Sequence, residues 1–361
     1  MHVLHLSTAL TWRGGEQQIA YLHKGLQAAG IKQSILCPTK SALYRFCNTY
    51  SLPCAHVVKT SSISWAYAKK IKELVQQHNI DLIHIHDSHA HSNAVLAATL
   101  FGLTTPMILH RRVDFAVSNN LFSRYKYNHP NIKRIISVSK AIENILSPAI
   151  KDQSKLRVIY SGVDTNKEVM TDGRLRKSLG LPVEALLIGN VAALADHKDP
   201  YTFLKVAEAL KDQPQYYFVW IGAGEMEAEM RTEIAKRNLQ GRVFLTGFRN
   251  DVRDILPELW IFLMTSKTEG LGTSILDAYL ATVPVVATAA GGIPELVEHG
   301  HTGLLAPVGD ADMLAMHILH LTLDKEYSQN LTTAAKQKAI GFDYHIMAGQ
   351  VLEVYREVLG K

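Results

Sequence analysis

Cysteine is scarce in this chain: Cys37, Cys47 and Cys54 are its only three in 361 residues, and no two form a CxxC pair. An odd number without paired spacing argues against a disulfide framework and a cysteine zinc site, and fits a reducing, cytoplasmic setting. Long apolar runs are also missing. No window holds eighteen unbroken apolar residues, and Met1 leads straight into His2-Val3-Leu4-His5-Leu6 without a basic start. Neither a spanning helix nor a secretory leader is expected. Low-complexity tracts and short-period repeats are absent. Hydrophobic residues make up 47% and charged residues 20%, an ordinary globular balance far from disordered composition. The length exceeds that of one usual domain, so two domains are expected.

The net charge of +5 conceals an asymmetry. Residues 1–165 carry 19 Lys+Arg against 8 Asp+Glu, net +11, and residues 166–361 carry 19 against 25, net −6. A basic first half suits an anionic partner: phosphates, nucleic acid or an acidic membrane surface.

Short β-rich runs alternate with helical patterns in the first half. They are Val3–Ser7, Glu16–Ala29, Gln33–Cys37, Ser64–Gln77, Leu82–His86, Ala90–Phe101, Met107–His110, Arg134–Val138, Ala141–Leu146 and Val158–Tyr160. The pattern restarts at Leu186–Val191 and continues through Tyr216–Ile221, Val243–Leu245, Leu259–Met264 and Val283–Ala287, with helices between. This order predicts an α/β protein with two parallel sheets, each covered by helices on both faces. The stretch Gly162–Pro182 reads as the connection between domains and the second domain's first surface helix. Ligands of open parallel sheets bind beyond the carboxyl ends of strands, so two facing sheets would share a cleft and the loops after strands carry the chemistry.

The most informative such loop is Thr265-Ser-Lys-Thr-Glu269-Gly-Leu-Gly272-Thr-Ser-Ile-Leu-Asp277, between an apolar run and a helix. Gly270 and Gly272 let backbone approach a ligand, and the amides of Leu271, Gly272, Thr273 and Ser274 form an anion site at a positive helix end, suited to a diphosphate. Glu269 is placed to bond hydroxyls. Asp277 projects from the first turn, or closes a capping box as Ser274-x-x-Asp277. A buried strand, the Gly291-Gly292 turn, Pro294 and Glu295 follow.

The block from Glu269 to Gly303 resembles the donor-binding signature of GT-B glycosyltransferases, specifically the retaining enzymes of family 4. That resemblance implies a Glu-x7-Glu pair whose first acid contacts the sugar and whose second contacts the nucleotide ribose; here the second is Asp277, one methylene shorter. Gly14-Gly15-Glu16 resembles the glycine loop that approaches donor phosphates and acceptor. In Ile108-Leu-His110-Arg-Arg112, His110 matches the family histidine beside the transferred sugar, and Lys198 matches the lysine that neutralises the diphosphate. The companion arginine is replaced by Ala192 and Ala193, so Arg13, Arg111 or Arg112 is expected to supply the missing charge.

Three other readings compete. His84-Ile-His86-Asp87-Ser-His89-Ala-His91 could form the metal site of a hydrolase, although Asp87 falls one place early for the usual hydrolase spacing. The resemblance instead puts His86 and Asp87, with Glu16, Arg111 and Arg112, on the acceptor side. Gly222-Ala-Gly224 invites a dinucleotide reading, but Glu227 stands in the third glycine's place. The aromatic and basic stretch Phe122–Arg134 would suit a non-catalytic protein that binds anionic surfaces or nucleic acid.

The resemblance implies a GT-B fold of two facing Rossmann-like doubly wound domains: residues 1–163 for the acceptor, 164–343 for the nucleotide sugar, and a C-terminal crossover helix, 344–361, packing back on the first. It implies a metal-independent retaining glycosyltransferase, with His110, Lys198 and Glu269 catalytic and no cofactor. A hexose-type sugar would move from a nucleotide-diphosphate sugar to a glycan or lipid-linked acceptor in polysaccharide or lipopolysaccharide synthesis. No nucleic acid partner is expected. The setting would be cytoplasmic, with peripheral contact at the anionic inner face of the membrane.

Overall fold

The computed structural model describes residues 1–58, 61–118, 120–166 and 171–361. Positions 167–170 of the expected inter-domain connection lie outside them. The chain divides into two compact units, Met1–Gly162 with Tyr344–Lys361, and Val163–Asp343.

In the first unit, β1 (His2–Leu6), α1 (Gly14–Ala28), β2 (Lys32–Pro38), α2 (Ala42–Thr49), β3 (Cys54–Val57) and α3 (Trp65–His78) come first. They are followed by β4 (Leu82–Ile85), α4 (Ser88–Phe101), β5 (Met107–Arg111), α5 (Leu121–Tyr127), β6 (Ile132–Ser137), α6 (Lys140–Leu146) and β7 (Leu156–Val158). All neighbouring strands run parallel, in the order β3-β2-β1-β4-β5-β6-β7. The order reverses direction between β1 and β4, which is the topological switch point.

Alternation along the strands sorts side chains onto two faces. Leu4, Leu6, Ile83, Ile85 and Leu109 pack with Tyr67, Ile71 and Leu74 of α3 and Ala94 of α4. Val3, Leu82, Ile108 and Ile136 pack on the other face with Leu22 and Leu26 of α1. That second layer also holds Met347, Val351 and Tyr355, so the final helix of the chain belongs to the first unit.

The second unit runs through α7 (Arg174–Leu179), β8 (Leu186–Val191), α8 (Pro200–Ala209), β9 (Tyr216–Ile221), α9 (Glu227–Lys236), β10 (Val243–Leu245) and α10 (Val252–Ile255). It continues with β11 (Ile261–Met264), α11 (Thr273–Leu280), β12 (Val285–Thr288), α12 (Ile293–Leu296), β13 (Leu304–Ala306), α13 (Ala311–Leu323) and α14 (Lys325–Ile340), after which α15 (Tyr344–Leu359) joins the first unit. Its sheet order is β10-β9-β8-β11-β12-β13, so the switch point lies between β8 and β11. Phe203, Phe218 and Trp220 anchor its core with edge-to-face ring contacts.

Differences from the sequence expectation fall on short elements. Residues 42–49 form a helix capped by the Ser41 side chain, which accepts from Tyr44 N–H at 3.0 Å. Strand β7 is set two residues earlier than expected, because its pairing to β6 runs from Leu156 to Val158. Helix α5 takes residues 122–127 of the aromatic and basic stretch, and β6 takes its last three.

Helices α1 and α15 approach closely at Gly25, where an added Cβ would sit 2.4 Å from Ala348 Cβ. Gly25→Val is therefore expected to destabilise the first unit by about 1–3 kcal/mol through overpacking, read as a lower urea midpoint; an unchanged midpoint would show that this helix contact is loose.

Candidate functional site

The second unit gathers its chemistry around its switch point, where the loops after β8 and β11 are knitted together by the hydroxyl of Thr265. It donates to the carbonyls of Lys198 at 3.1 Å and Asp199 at 3.0 Å, and Lys267 N–H donates to His197 O at 2.9 Å. This stitching brings the Lys198 ammonium onto the Glu269 carboxylate as an ion pair largely withdrawn from solvent. Ser266 Oγ adds a donor to Glu269 Oε2 at 3.3 Å.

A glycine turn backs the Glu269 loop. At Gly291 an added Cβ would lie 2.1 Å from Glu269 O, and at Gly292 it would lie 2.4 Å from Gly270 O. Gly292 N–H donates to Glu269 O at 2.9 Å. Only residues without a Cβ permit this backbone-on-backbone contact.

Helix α11 opens with Gly272 as its N-cap, in the left-handed region at φ +87°. Ile275 N–H donates to Gly272 O at 2.9 Å, so the amides of Leu271 to Ser274 precede the helix's own bonding. Gly270, Leu271, Gly272, Thr273 and Ser274 thus stand at one positive helix end. The capping-box reading is corrected: with Gly272 as N-cap, Ser274 and Asp277 lie one and four residues beyond the first helical position. Asp277 instead accepts at Oδ1 from Arg253 at 3.0 Å, and Arg253 also donates to Asp164 O at 3.1 Å. Sequence reasoning missed Arg253; its signal was its place in α10, the short helix that follows β10 at the carboxyl edge of the same sheet.

In the first unit, Gly14 and Gly15 open α1, and Glu16 in its first turn accepts from Arg13 N–H at 2.9 Å. The histidine run at residues 84–91 does not converge as one metal set. Asp87 caps α4 by accepting from Ala90 N–H at 2.8 Å and binds the Thr8 hydroxyl at 2.6 Å. His89 donates its backbone N–H to the same carboxylate at 3.0 Å. His91 Nε2 pairs with Lys126 O at 3.1 Å, packed edge-on against Tyr127.

His84 and His86 join His5 of β1 instead, with candidate ligand atoms within 4.8 Å of one another, and His110 stacks on His84 at 5.4 Å. Strand alternation explains the layer: His84 and His86 share one face of the sheet, as do His110 and Arg112. Arg112 donates to His86 Nδ1 and His110 Nδ1, each at 3.2 Å. His5 Nδ1 meets His86 Nε2 at 2.9 Å and His5 Nε2 meets Gln33 Oε1 at 3.1 Å.

Burial pushes His5 down to about 3 and holds His84, His86 and His110 well below the usual histidine value, with the Arg112 charge adding to the effect. Burial also brings Arg112 down to about 10 against the opposing pull of Glu16.

Of the arginines expected to supply phosphate charge, Arg111 points to the other face, donating to Tyr127 Oη at 2.6 Å and to Phe115 O. Arg112 is engaged with the imidazoles, and Arg13 is exposed. Lys126 is also withdrawn from the surface: its ammonium donates to Ser92 Oγ at 3.2 Å, and burial lowers it to about 8.

Two family models match the chain, "Glycosyltransferase Family 4" over residues 12–167 and "Glycosyl transferases group 1" over residues 172–338. Among curated relatives, an N-acetyl-alpha-D-glucosaminyl L-malate synthase of Bacillus anthracis is 24% identical over 81% of this chain and 79% of the relative. A UDP-Gal:alpha-D-GlcNAc-diphosphoundecaprenol alpha-1,3-galactosyltransferase of Escherichia coli is 24% identical over 80% and 78%. Among solved structures, HepE of Anabaena in complex with UDP-glucose superposes with a TM-score of 0.86 at 23% identity, covering 99% of this chain and 100% of that one.

The neutral imidazole layer predicts a pH dependence of stability. Below about pH 6.5 the unfolded chain takes up protons on His5, His84, His86 and His110 that the folded chain refuses, because their folded values are depressed. Stability is therefore full above pH 6.5 and falls as pH drops, by up to about 1.4 kcal/mol per pH unit for each proton. Urea midpoints at pH 7.5, 6.5 and 5.5 should fall more steeply than one proton explains, whereas a flat series would mean that these histidines protonate in the folded state.

Proposed function

The chain belongs to the glycosyltransferases of family 4, group 1, with the GT-B fold, and from that premise we propose that it is a retaining, hexose-transferring enzyme using a nucleotide-diphosphate sugar. The observation that carries this reading is the Lys198–Glu269 pair beside the amides of Leu271 to Ser274. An ammonium has three donors, so Lys198 can keep Glu269 and still reach a phosphate oxygen. Together with the helix end it would stabilise the diphosphate as negative charge grows on the leaving oxygen. Glu269 would orient the sugar's hydroxyls. Asp277, held by Arg253, would take the ribose.

In the retaining route the acceptor hydroxyl attacks on the leaving-group face and passes its proton to the departing phosphate oxygen. Positive side chains and a helix end then perform the charge stabilisation, and no metal is required. The acceptor is proposed to be a glycan or lipid-linked hydroxyl in cell-surface polysaccharide or lipopolysaccharide synthesis, at the cytoplasmic side. The diphosphoundecaprenol-linked acceptor named for the Escherichia coli relative supports this. No helix among the described residues is long and apolar enough to cross a membrane. Leu121, Phe122 and Tyr125 are nevertheless 86%, 51% and 47% exposed along α5, an apolar face suited to peripheral contact.

Glu269→Gln and Lys198→Ala should each lower the transfer rate about 100- to 1,000-fold with folding intact, and near-normal turnover in either would remove that residue from the mechanism. UDP, GDP, ADP and TDP would be compared by thermal shift in wild type and Arg253→Ala. UDP is expected to stabilise wild type most and the variant less, while no shift with any of the four would refute the donor class. EDTA should leave transfer unchanged; inhibition reversed by zinc would restore the metal reading. Leu121→Asp should weaken co-sedimentation with anionic vesicles, and equal sedimentation would discount α5 as the contact.

A further inference from the structure

Outside the donor loop, the most unusual feature of the molecule is the layer of buried imidazoles on β1, β4 and β5. Three of them could be taken for a metal site. Their hydrogen bonds argue otherwise, because one member of the network has a fixed proton inventory. A guanidinium only donates. Arg112 contacts Nδ1 of both His86 and His110, so each Nδ1 must be the unprotonated, accepting nitrogen. Burial keeps both rings neutral, and a neutral imidazole with a bare Nδ1 carries its proton on Nε2.

The consequences pass along the layer. His86 Nε2–H faces His5 Nδ1 at 2.9 Å, so His5 accepts there and carries its own proton on Nε2, which donates to Gln33 Oε1 at 3.1 Å. Gln33 keeps that orientation because its amide nitrogen donates to His23 O at 3.0 Å. From the guanidinium to the helix carbonyl, every contact has one donor and one acceptor. A metal would need the lone pair of His86 Nε2, which requires a proton on Nδ1 pointing at an Arg112 N–H. His110 has no onward partner among the described residues: its Nε2 is buried and makes no hydrogen bond.

We propose that Arg112 is a positioning residue that fixes His86 and His110 as Nε2–H tautomers, so that His110 meets substrate as a hydrogen-bond donor and not as a base. The part concerning substrate rests on the glycosyltransferase reading, in which His110 lies beside the transferred sugar. The tautomer assignment does not depend on it. A donor at this position would bond a sugar hydroxyl oxygen and could not remove the acceptor's proton, which agrees with that proton leaving on the phosphate.

The test is the long-range proton–nitrogen NMR spectrum of histidine-labelled wild-type enzyme near neutral pH. His86→Gln and His110→Gln would assign the two rings. Both should show a protonated Nε2 and a bare Nδ1; a protonated Nδ1 or an imidazolium at either overturns the proposal, whatever the protein's activity. Titration with Zn2+ should leave the His5, His84 and His86 signals in place, and stoichiometric shifts at all three would equally overturn it.

In the transfer assay, Arg112→Ala should lose about 100-fold in kcat with the donor KM unchanged. Arg112→Lys should recover only part of it, because one ammonium cannot hold two rings in a fixed plane. Full rescue by lysine would show that charge, not the fork, is what matters. A normal wild-type spectrum with no transfer by any variant or by wild type would sink the functional reading and leave the tautomer assignment standing.

Discussion

Backbone pressed against backbone determines where charge can sit in the second unit. The Gly291-Gly292 turn lies on the Glu269-Gly270 segment at distances no side chain would tolerate, and one hydrogen bond, donated by Gly292 N–H to Glu269 O, locks the contact. That contact sets the direction of the chain as it enters α11, and so places the amides of Leu271 to Ser274 at the helix's positive end. Lys198 is brought to the same place by the Thr265 hydroxyl, which bonds the carbonyls of Lys198 and Asp199. A polar site is thus assembled from groups whose positions follow from packing constraints.

The first unit answers the same topological demand with side chains. At its switch point the strands carry apolar residues at their amino ends, Val3, Leu82 and Ile108, and then His5, His84, His86, His110 and Arg112 toward their carboxyl ends on the same face. The sheet is covered on that face by α1 and α15, so the imidazoles are buried and must be neutral. Arg112 and Gln33 satisfy the chain of contacts from its two ends. Tyr355 of the last helix bonds His84, which ties the chain's C-terminal segment to the polar layer as well as to the core.

Much of this was legible in the residue order. The α/β class followed from alternating apolar runs, and β8, β9 and β10 lie where their runs placed them because buried parallel strands are nearly continuous in hydrophobicity. The donor loop was legible because glycines, an acid and a helix start coincide after a strand. The edge strands β3 and β13 were not: β3 is half-buried and only four residues long, and β13 has three. The convergence of His5 with His84 and His86 was hidden because it depends on β1 pairing with β4 at a separation of 79 residues, not on local spacing. Asp87 looked like a ligand, yet it caps α4, a role that an aspartate before a helix fills from local geometry alone. Arg253 escaped notice because its partner, Asp277, lies in another helix, 24 residues further along the chain.

The central claim is that a diphosphate is held by the peptide amides at the start of α11 together with a single ammonium. Amide hydrogen exchange with and without a nucleoside diphosphate measures this directly. Slowed exchange at Leu271 to Ser274 in wild type, much reduced in a chain lacking the Lys198 ammonium, is the result the account predicts. Unaltered exchange at those four amides under saturating nucleotide would contradict it.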